Sequence, residues 1–234
     1  MTGTHPPTKD LAASAPSYAS GPSEVALLGD TIGQNLARTA AAFPDRDALV
    51  DMPSGRRWTY SEIDADVTVL AAALLARGIS RGDRIGIWSP SCAEWFIVQY
   101  ATARIGVILV PINPAYRRSE LEYVVNHAEI RMVFSAQRFK TSNYRSMLDE
   151  TLPNTPTLDS VVYIDSGSWD ALMEQGRHAH AEDPDAVDCA QSALSMEDPI
   201  NIQYTSGTTG FPKGATLSHH NVHNNAYSIG AVLG

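Results

Sequence analysis

The sequence predicts an α/β fold: layered subdomains built on a parallel sheet. Short, continuously apolar, β-prone segments alternate with helical patterns of about ten residues or more, and helix start and stop signals fall between them. Continuously apolar strands are typical of a parallel sheet covered by helices on both faces. The alternation therefore predicts repeated β-α-β units.

The first two helices are predicted from their capping residues. Thr31 can cap the first helix, and Pro44 ends it. Thr59 and Glu62 form a capping box for the second helix, which Gly78 terminates. The apolar face of the first helix comprises Ile32, Leu36, Ala40 and Phe43.

The other elements follow from the same rules. Strands are predicted at 48–50, 57–59, 84–88, 107–110, 132–135, 161–164 and 200–204. Helices are predicted at 92–104, at 119–128 with Ser119 as the cap, and at 139–150. Residues 176–198 are polar and acidic, and we interpret them as an exposed connector. Residues 1–23, rich in small residues and proline, predict a disordered leader.

Composition excludes several classes of protein. The formal net charge of −9 argues against a nucleic-acid surface, which needs a clustered basic face. No apolar segment approaches the ~20 residues that span a membrane, and residues 1–20 lack a signal-peptide core. Cys92 and Cys189 form no C-x-x-C pattern and favour a reducing compartment. We therefore expect a cytoplasmic protein.

The most informative stretch lies between two β-prone segments near the carboxyl end. Residues 205–214 combine glycines, hydroxyl side chains and the single lysine Lys213. Glycines allow backbone N–H groups to approach phosphate oxygens, and hydroxyls add donors. A Walker loop is excluded, because Pro212 replaces the glycine before the lysine and Gly214 replaces the magnesium-binding hydroxyl. The stretch predicts a phosphate loop of another kind.

The run at 204–214, which reads YTSGTTGFPKG, and its continuation at 218–221 (SHHN) resemble the AMP-binding signature of the acyl-adenylate-forming superfamily. That superfamily comprises acyl-CoA synthetases, peptide-synthetase adenylation domains and firefly-type luciferases. Looser similarity to acyl-CoA synthetases covers 59–62, 82–85 and 106–116, whose motifs mainly shape turns. Fatty-acyl-CoA synthetases are the most similar branch. The resemblance implies formation of an acyl-AMP and then of an acyl-CoA.

The resemblance also implies a role for each residue of the loop. Lys213 would act in catalysis by neutralising the outer phosphates of ATP as pyrophosphate departs. Thr208 would help to hold Mg²⁺. Coenzyme A and a fatty acid would be the other substrates. Phosphate binding would fall to Thr205, Ser206, Gly207, Thr208, Thr209, Gly210, Lys213 and Gly214.

The later motifs of the superfamily do not occur in these 234 residues: the Y-G-x-T-E segment, the ribose-binding aspartate, the hinge and the C-terminal domain with its catalytic lysine. Residues 24–234 are therefore interpreted as a partial, N-terminal AMP-binding domain whose C-terminal domain is absent. We expect the isolated chain to be inactive or nearly so. Two alternatives stay open: a ligase for aryl or short-chain acids, and a non-catalytic remnant that binds nucleotide weakly or serves as an interaction module.

His219 and His223 are four residues apart on a predicted helix, a spacing that two zinc ligands can use. Neither a third ligand nor an H-E-x-x-H pattern accompanies them. The resemblance instead implies that His219 caps or packs the helix behind the phosphate loop.

Overall fold

Residues 26–205 and 212–233 are described by the computed structural model and form an α/β structure. The strands are β1 (Asp47–Val50), β2 (Arg57–Thr59), β3 (Arg84–Trp88), β4 (Ile108–Pro111), β5 (Met132–Ser135), β6 (Arg138–Phe139), β7 (Ser142–Asn143), β8 (Ser160–Tyr163), β9 (Pro199–Thr205) and β10 (Lys213–Ser218). The α-helices are α1 (Ile32–Ala42), α2 (Tyr60–Ala76), α3 (Ala93–Arg104), α4 (Arg118–His127), α5 (Tyr144–Thr151), α6 (Gly167–Glu182), α7 (Ala186–Ser192) and α8 (His219–Leu233). Within these residues, no helix has the length and apolar character needed to cross a bilayer.

Six of the described strands form the central sheet, in the order β10-β9-β4-β3-β5-β8. The pairs β3–β4, β3–β5, β5–β8 and β4–β9 are all parallel, so these strands run in one direction. β10 pairs antiparallel with β9 at the edge. The predicted parallel sheet is confirmed, with an antiparallel edge strand of the kind that mixed sheets often carry. The carboxyl ends of β3, β4 and β9 therefore lie along one edge of the sheet.

Both faces of the sheet are buried under helices. Ile85 and Ile87 of β3 belong to a core cluster shared with α2, α3 and α6, whereas Trp88 belongs to a second cluster shared with α4 and α5. In β5, Phe134 belongs to the first cluster and Val133 to the second. Successive side chains of a strand point to opposite faces, so continuously apolar strands fill both clusters.

The predicted caps of the first two helices are confirmed. Thr31 and Thr59 precede α1 and α2, and each forms a complete capping box. The prediction that Phe43 lies on the buried face of the first helix is wrong. Its side chain is 46% exposed just beyond the end of α1, where the Arg46 guanidinium lies 4.8 Å from the ring centroid.

The helix predicted at 139–150 begins later than the sequence suggests. A short hairpin of β6 and β7 comes first, and Lys140 in its turn has a φ of 51°. α5 then begins at Tyr144, because the side chain of Asn143 accepts a hydrogen bond from the Ser146 amide at 3.2 Å. Asparagine is a strong N-cap, and it decides the start of this helix.

The cap predicted for the next helix upstream is also wrong. Ser119 lies inside α4, whose N-cap is Arg117. The Glu120 carboxylate accepts a hydrogen bond from the Arg117 amide at 2.8 Å and satisfies a donor that the helix leaves free. The acidic residue therefore places the cap of α4 two positions before Ser119.

The connector predicted at 176–198 is wrong in structure, since α6 and α7 occupy most of it, whereas most of its residues are exposed or half-buried as predicted. Leu172, Met173 and Gly176 of α6 are buried against α2. These positions continue a helical spacing of three and four residues that begins at Trp169. The interpretation as a connector rested on the acidic residues of 182–188, which lie at the end of α6, between the two helices and in α7.

Candidate functional site

The glycine-rich stretch joins the two strands of an antiparallel hairpin. Thr205 at the end of β9 pairs with Lys213 at the start of β10, and Tyr204 pairs with Gly214. The two strands predicted on either side of the loop are thus confirmed. The predicted site residues Ser206, Gly207, Thr208, Thr209 and Gly210 lie outside the described residues.

The two described ends of the loop face solvent. Thr205 and Lys213 are both exposed. Lys213 forms no ion pair with any residue in 26–205 or 212–233, so its ammonium group is available to an anion. Because Thr205 and Lys213 are cross-strand partners, a ligand held between them would meet a hydroxyl and a cation together.

Gly214 has a packing reason to lack a side chain. A Cβ at this position would lie 2.8 Å from Cγ2 of Ile202 and 3.5 Å from Cζ of Tyr204. The Ile202 side chain therefore fills the space beside the β10 backbone directly after Lys213, and the Tyr204 ring lies in ordinary contact range. The sequence predicted a glycine for close backbone approach at this position, and the close neighbour is the protein's own Ile202 side chain.

A cavity of about 380 Å³ opens at the same edge of the sheet. It lies at the carboxyl ends of β3, β4 and β9, which is where open α/β sheets bind their ligands. Polar groups from three strand ends converge on it. Its walls include Ser89, Ser91, Asn113, Pro114, Gln203 and Tyr204.

Two stacked aromatic rings hold the turn that forms one wall of this cavity. The rings of Trp88 and Tyr144 lie 3.7 Å apart in a parallel stack. The Trp88 indole N–H donates to the Asn113 carbonyl at 3.1 Å, and the Tyr144 hydroxyl donates to the Pro114 carbonyl at 2.5 Å. Burial raises the pKa of Tyr144 to about 12, so its hydroxyl keeps the proton it donates. Sequence analysis did not find this pair, since Tyr144 fell inside the misplaced helix.

α8 follows the hairpin and contacts the start of α1 and the residues directly before it. His219 is fully buried, and its Nδ1 accepts a hydrogen bond from the Ile32 amide at 3.3 Å. His223 contacts the Asp30 carboxylate at 3.3 Å. The two histidines thus have separate partners, and residues 26–205 and 212–233 contain no group of three or more metal-ligating side chains. His219 is buried at the start of α8, directly after β10.

Burial makes His219 a source of acid sensitivity. It lowers the pKa of this histidine to about 4 despite the opposing charge of Asp198. Between about pH 6.5 and pH 4 the unfolded chain binds a proton here that the folded chain excludes, so acidification is expected to destabilise the fold. The loss should approach about 3 kcal/mol, since one pKa unit corresponds to about 1.4 kcal/mol.

Urea unfolding at a series of pH values measures this effect. The His219→Asn variant keeps an acceptor for the Ile32 amide but does not titrate, so its stability should fall less in acid than that of the wild type. The His219→Leu variant also leaves the amide unpaired and should lose about 1–3 kcal/mol at pH 7. The same pH dependence in the wild type and His219→Asn would contradict the assignment.

α4 also contacts the hairpin, which sequence analysis missed. The Tyr123 hydroxyl donates to the Pro212 carbonyl at 3.2 Å, and His127 Nδ1 lies 2.6 Å from the Tyr204 hydroxyl. The available signal was the spacing of Tyr123 and His127, four residues apart on one helix face. That spacing alone does not predict which strand this face of α4 would contact.

Solved structures place this fold among the N-terminal domains of acyl-CoA synthetases. A fatty acyl-CoA synthetase of Mycobacterium tuberculosis matches with a TM-score of 0.72 and 27% identity, over 86% of this chain and 37% of that one. The inhibitor-bound N-terminal domain of FACL13 from the same organism matches with a TM-score of 0.73 and 27% identity, over 86% and 48%.

The chain belongs to the AMP-binding enzyme family, whose model matches residues 36–233. It is 41% identical to the mitochondrial medium-chain acyl-CoA ligase ACSF2 of Danio rerio, over 93% of this chain and 38% of the relative. It is 35% identical to the putative acyl-CoA synthetase YngI of Bacillus subtilis, over 87% of this chain and 40% of that relative. The chain therefore spans about two-fifths of the length of these relatives.

Proposed function

We propose that this chain provides the ATP-binding hairpin of an AMP-forming fatty-acid–CoA ligase. Membership of the AMP-binding enzyme family supports the proposal. The observation that carries it is Lys213, an exposed ammonium group at the point where the glycine-rich loop rejoins the sheet, with no ion-pair partner among the described residues. A strongly hydrated point charge on a flexible stem suits the outer phosphates of ATP.

The first step joins a carboxylate oxygen to the α-phosphorus of ATP, and the bond from that phosphorus to the bridging oxygen breaks. Acyl-AMP forms, and pyrophosphate leaves with the electron pair. Negative charge grows on the departing oxygens, so Lys213 stabilises the transition state more than the ground state. Bound Mg²⁺ would neutralise phosphate charge, and we assign Thr208 to hold it. The other phosphate-binding residues would be Thr205, Ser206, Gly207, Thr209, Gly210 and Gly214.

The second step transfers the acyl group from AMP to the thiol of coenzyme A. Residues 24–234 would form a partial N-terminal AMP-binding domain, after a leader at 1–23. The chain spans 38% of its zebrafish relative, so we expect the remaining groups for both steps to come from sequence outside it. The name of that relative makes a medium-chain fatty acid the first substrate to test.

Carboxylate-dependent exchange of pyrophosphate into ATP tests the first step. The native gene product is expected to catalyse this exchange with a medium-chain fatty acid. The isolated chain is expected to bind ATP and to show little or no exchange. If the isolated chain catalysed exchange at the rate of the native product, the expectation that further sequence supplies the remaining groups would be wrong. If the native product catalysed no exchange with any carboxylate, the proposed ligase activity would be wrong.

The intact mass of the native product, captured with an antibody against the chain, is the companion measurement. A mass well above 25.3 kDa would fit part of a complete ligase. A mass near 25.3 kDa would favour a non-catalytic remnant that binds nucleotide.

We also propose that the protein acts in the cytoplasm on small molecules and does not bind nucleic acid. Both cysteines are free thiols, which fits a reducing compartment, and the net charge of −9 disfavours a nucleic-acid partner. The zebrafish relative is described as mitochondrial, so cell fractionation with immunoblotting is the direct check. Recovery outside the cytoplasmic fraction would contradict the proposed location.

A further inference from the structure

One face of α4 reaches both ends of the phosphate loop. Tyr123 and His127 are one helical turn apart, and their rings stack with centroids 5.2 Å apart. Tyr123 contacts Pro212, which directly precedes Lys213, and His127 contacts Tyr204, which directly precedes Thr205. One contact thus lies on β9 and the other directly before β10, each one residue from the cross-strand pair of Thr205 and Lys213.

The contact at Pro212 acts on the peptide group that leads into Lys213. Proline has no N–H, so its carbonyl is its only backbone hydrogen-bonding group. This carbonyl and the Lys213 amide belong to one planar peptide unit. The 3.2 Å hydrogen bond from the Tyr123 hydroxyl therefore orients that plane, and with it the direction in which the backbone enters Lys213.

The contact at Tyr204 supports the other strand. Burial raises the pKa of the Tyr204 hydroxyl to about 12, so it stays protonated at neutral pH and can donate to His127 Nδ1, 2.6 Å away. The Tyr204 ring also forms T-shaped contacts with both α4 rings, with centroid distances of 6.4 Å to Tyr123 and 5.7 Å to His127. One polar contact and two aromatic contacts fix the side chain.

The loop end of the β9–β10 hairpin has little packing from its own strands. β10 is the edge strand, and its first four residues are exposed. Gly214 contributes no side chain to packing, and a two-stranded segment without further packing is only marginally stable. The face of α4 supplies contacts at the loop end of the hairpin that β9 and β10 do not supply to each other.

We propose that Tyr123 and His127 are positioning residues that hold the two ends of the phosphate loop and so set the place of Lys213. Their effect on nucleotide binding rests on the proposed ATP site, whereas their stabilisation of the β9–β10 hairpin does not. The two parts of the proposal are therefore measured separately, on the same set of variants.

Hydrogen exchange of the β9–β10 amides measures the hold on the hairpin. Tyr123→Phe removes only the hydroxyl, and His127→Leu removes the ring nitrogen. Each should raise exchange at the loop end roughly 3- to 10-fold, the size of one lost hydrogen bond, with little change in exchange of β3 and β5. His127→Gln offers a new polar partner to Tyr204 and should restore most of the protection. Ser119→Ala, at an exposed position in the first turn of α4, is the matched control.

The affinities for ATP and AMP, measured by calorimetry, test the functional part. Tyr123→Phe and His127→Leu should weaken ATP binding about fivefold and change AMP binding less than about twofold, because only ATP carries the outer phosphates that Lys213 meets. A role limited to overall stability would move the unfolding midpoint and leave the ratio of the two affinities unchanged.

Unchanged exchange at the loop end in both variants would overturn the hold on the hairpin. If hydrogen exchange at the loop end becomes faster but the ratio of ATP to AMP affinity does not change, the proposal that these residues position Lys213 is overturned. If the wild-type chain binds no ATP while exchange responds as expected, the proposed ATP site fails and the hold on the hairpin stands.

Discussion

Replacing Lys213 with methionine is expected to weaken ATP binding by the chain roughly 10- to 100-fold. A hydrogen bond to a charged group is worth about 1.5–3 kcal/mol, which corresponds to that range. AMP affinity should change less than about twofold, since AMP lacks the outer phosphates. Calorimetric titration with each nucleotide measures both affinities. Added salt should reduce the loss of ATP affinity in the variant, because it screens the exposed charge of Lys213 in the wild type.

The matched control is Lys213→Arg, which keeps the charge and should keep most of the affinity for ATP. Lys213 is exposed, so neither substitution should shift the unfolding midpoint appreciably. An equal loss of ATP and AMP affinity in Lys213→Met would contradict the assigned contact with the outer phosphates. So would full retention of ATP affinity.

Replacing Gly176 with alanine is expected to destabilise the chain by about 2–3 kcal/mol, although alanine is the better helix former by about 1 kcal/mol. A Cβ at this position would overlap the Val69 carbonyl oxygen of α2. That oxygen belongs to the backbone and cannot rotate away, so α6 would have to move off α2. Urea unfolding measures the change in free energy.

Gly230→Ala in α8 is the matched control, because a Cβ there meets no atom within 4 Å. This variant should be neutral or stabilised by up to about 1 kcal/mol. Similar stabilities for Gly176→Ala and Gly230→Ala would show that α2 and α6 do not pack as closely as described.

Prediction from sequence succeeded where neighbouring residues decide the structure. The limits of β3 and β5 agree with their apolar runs, and the capping boxes at Thr31 and Thr59 start α1 and α2. It failed where two local signals compete, as at Ser119, where the side chain of Glu120 moves the cap to Arg117. Prediction from sequence also missed α6. Its apolar face is narrow, and the helix is stable because that face packs against α2.

The sequence by itself determined the family and the parallel sheet, because the run at 204–214 carries the family signature in one continuous string and apolar strands alternate with helical patterns before it. Only the tertiary structure decided which groups stand beside that loop. His127 meets Tyr204 across 77 residues of chain, and Tyr123 meets Pro212 across 89. Such contacts depend on the order of strands in the sheet and on the face that carries each helix, and no local pattern of residues encodes either.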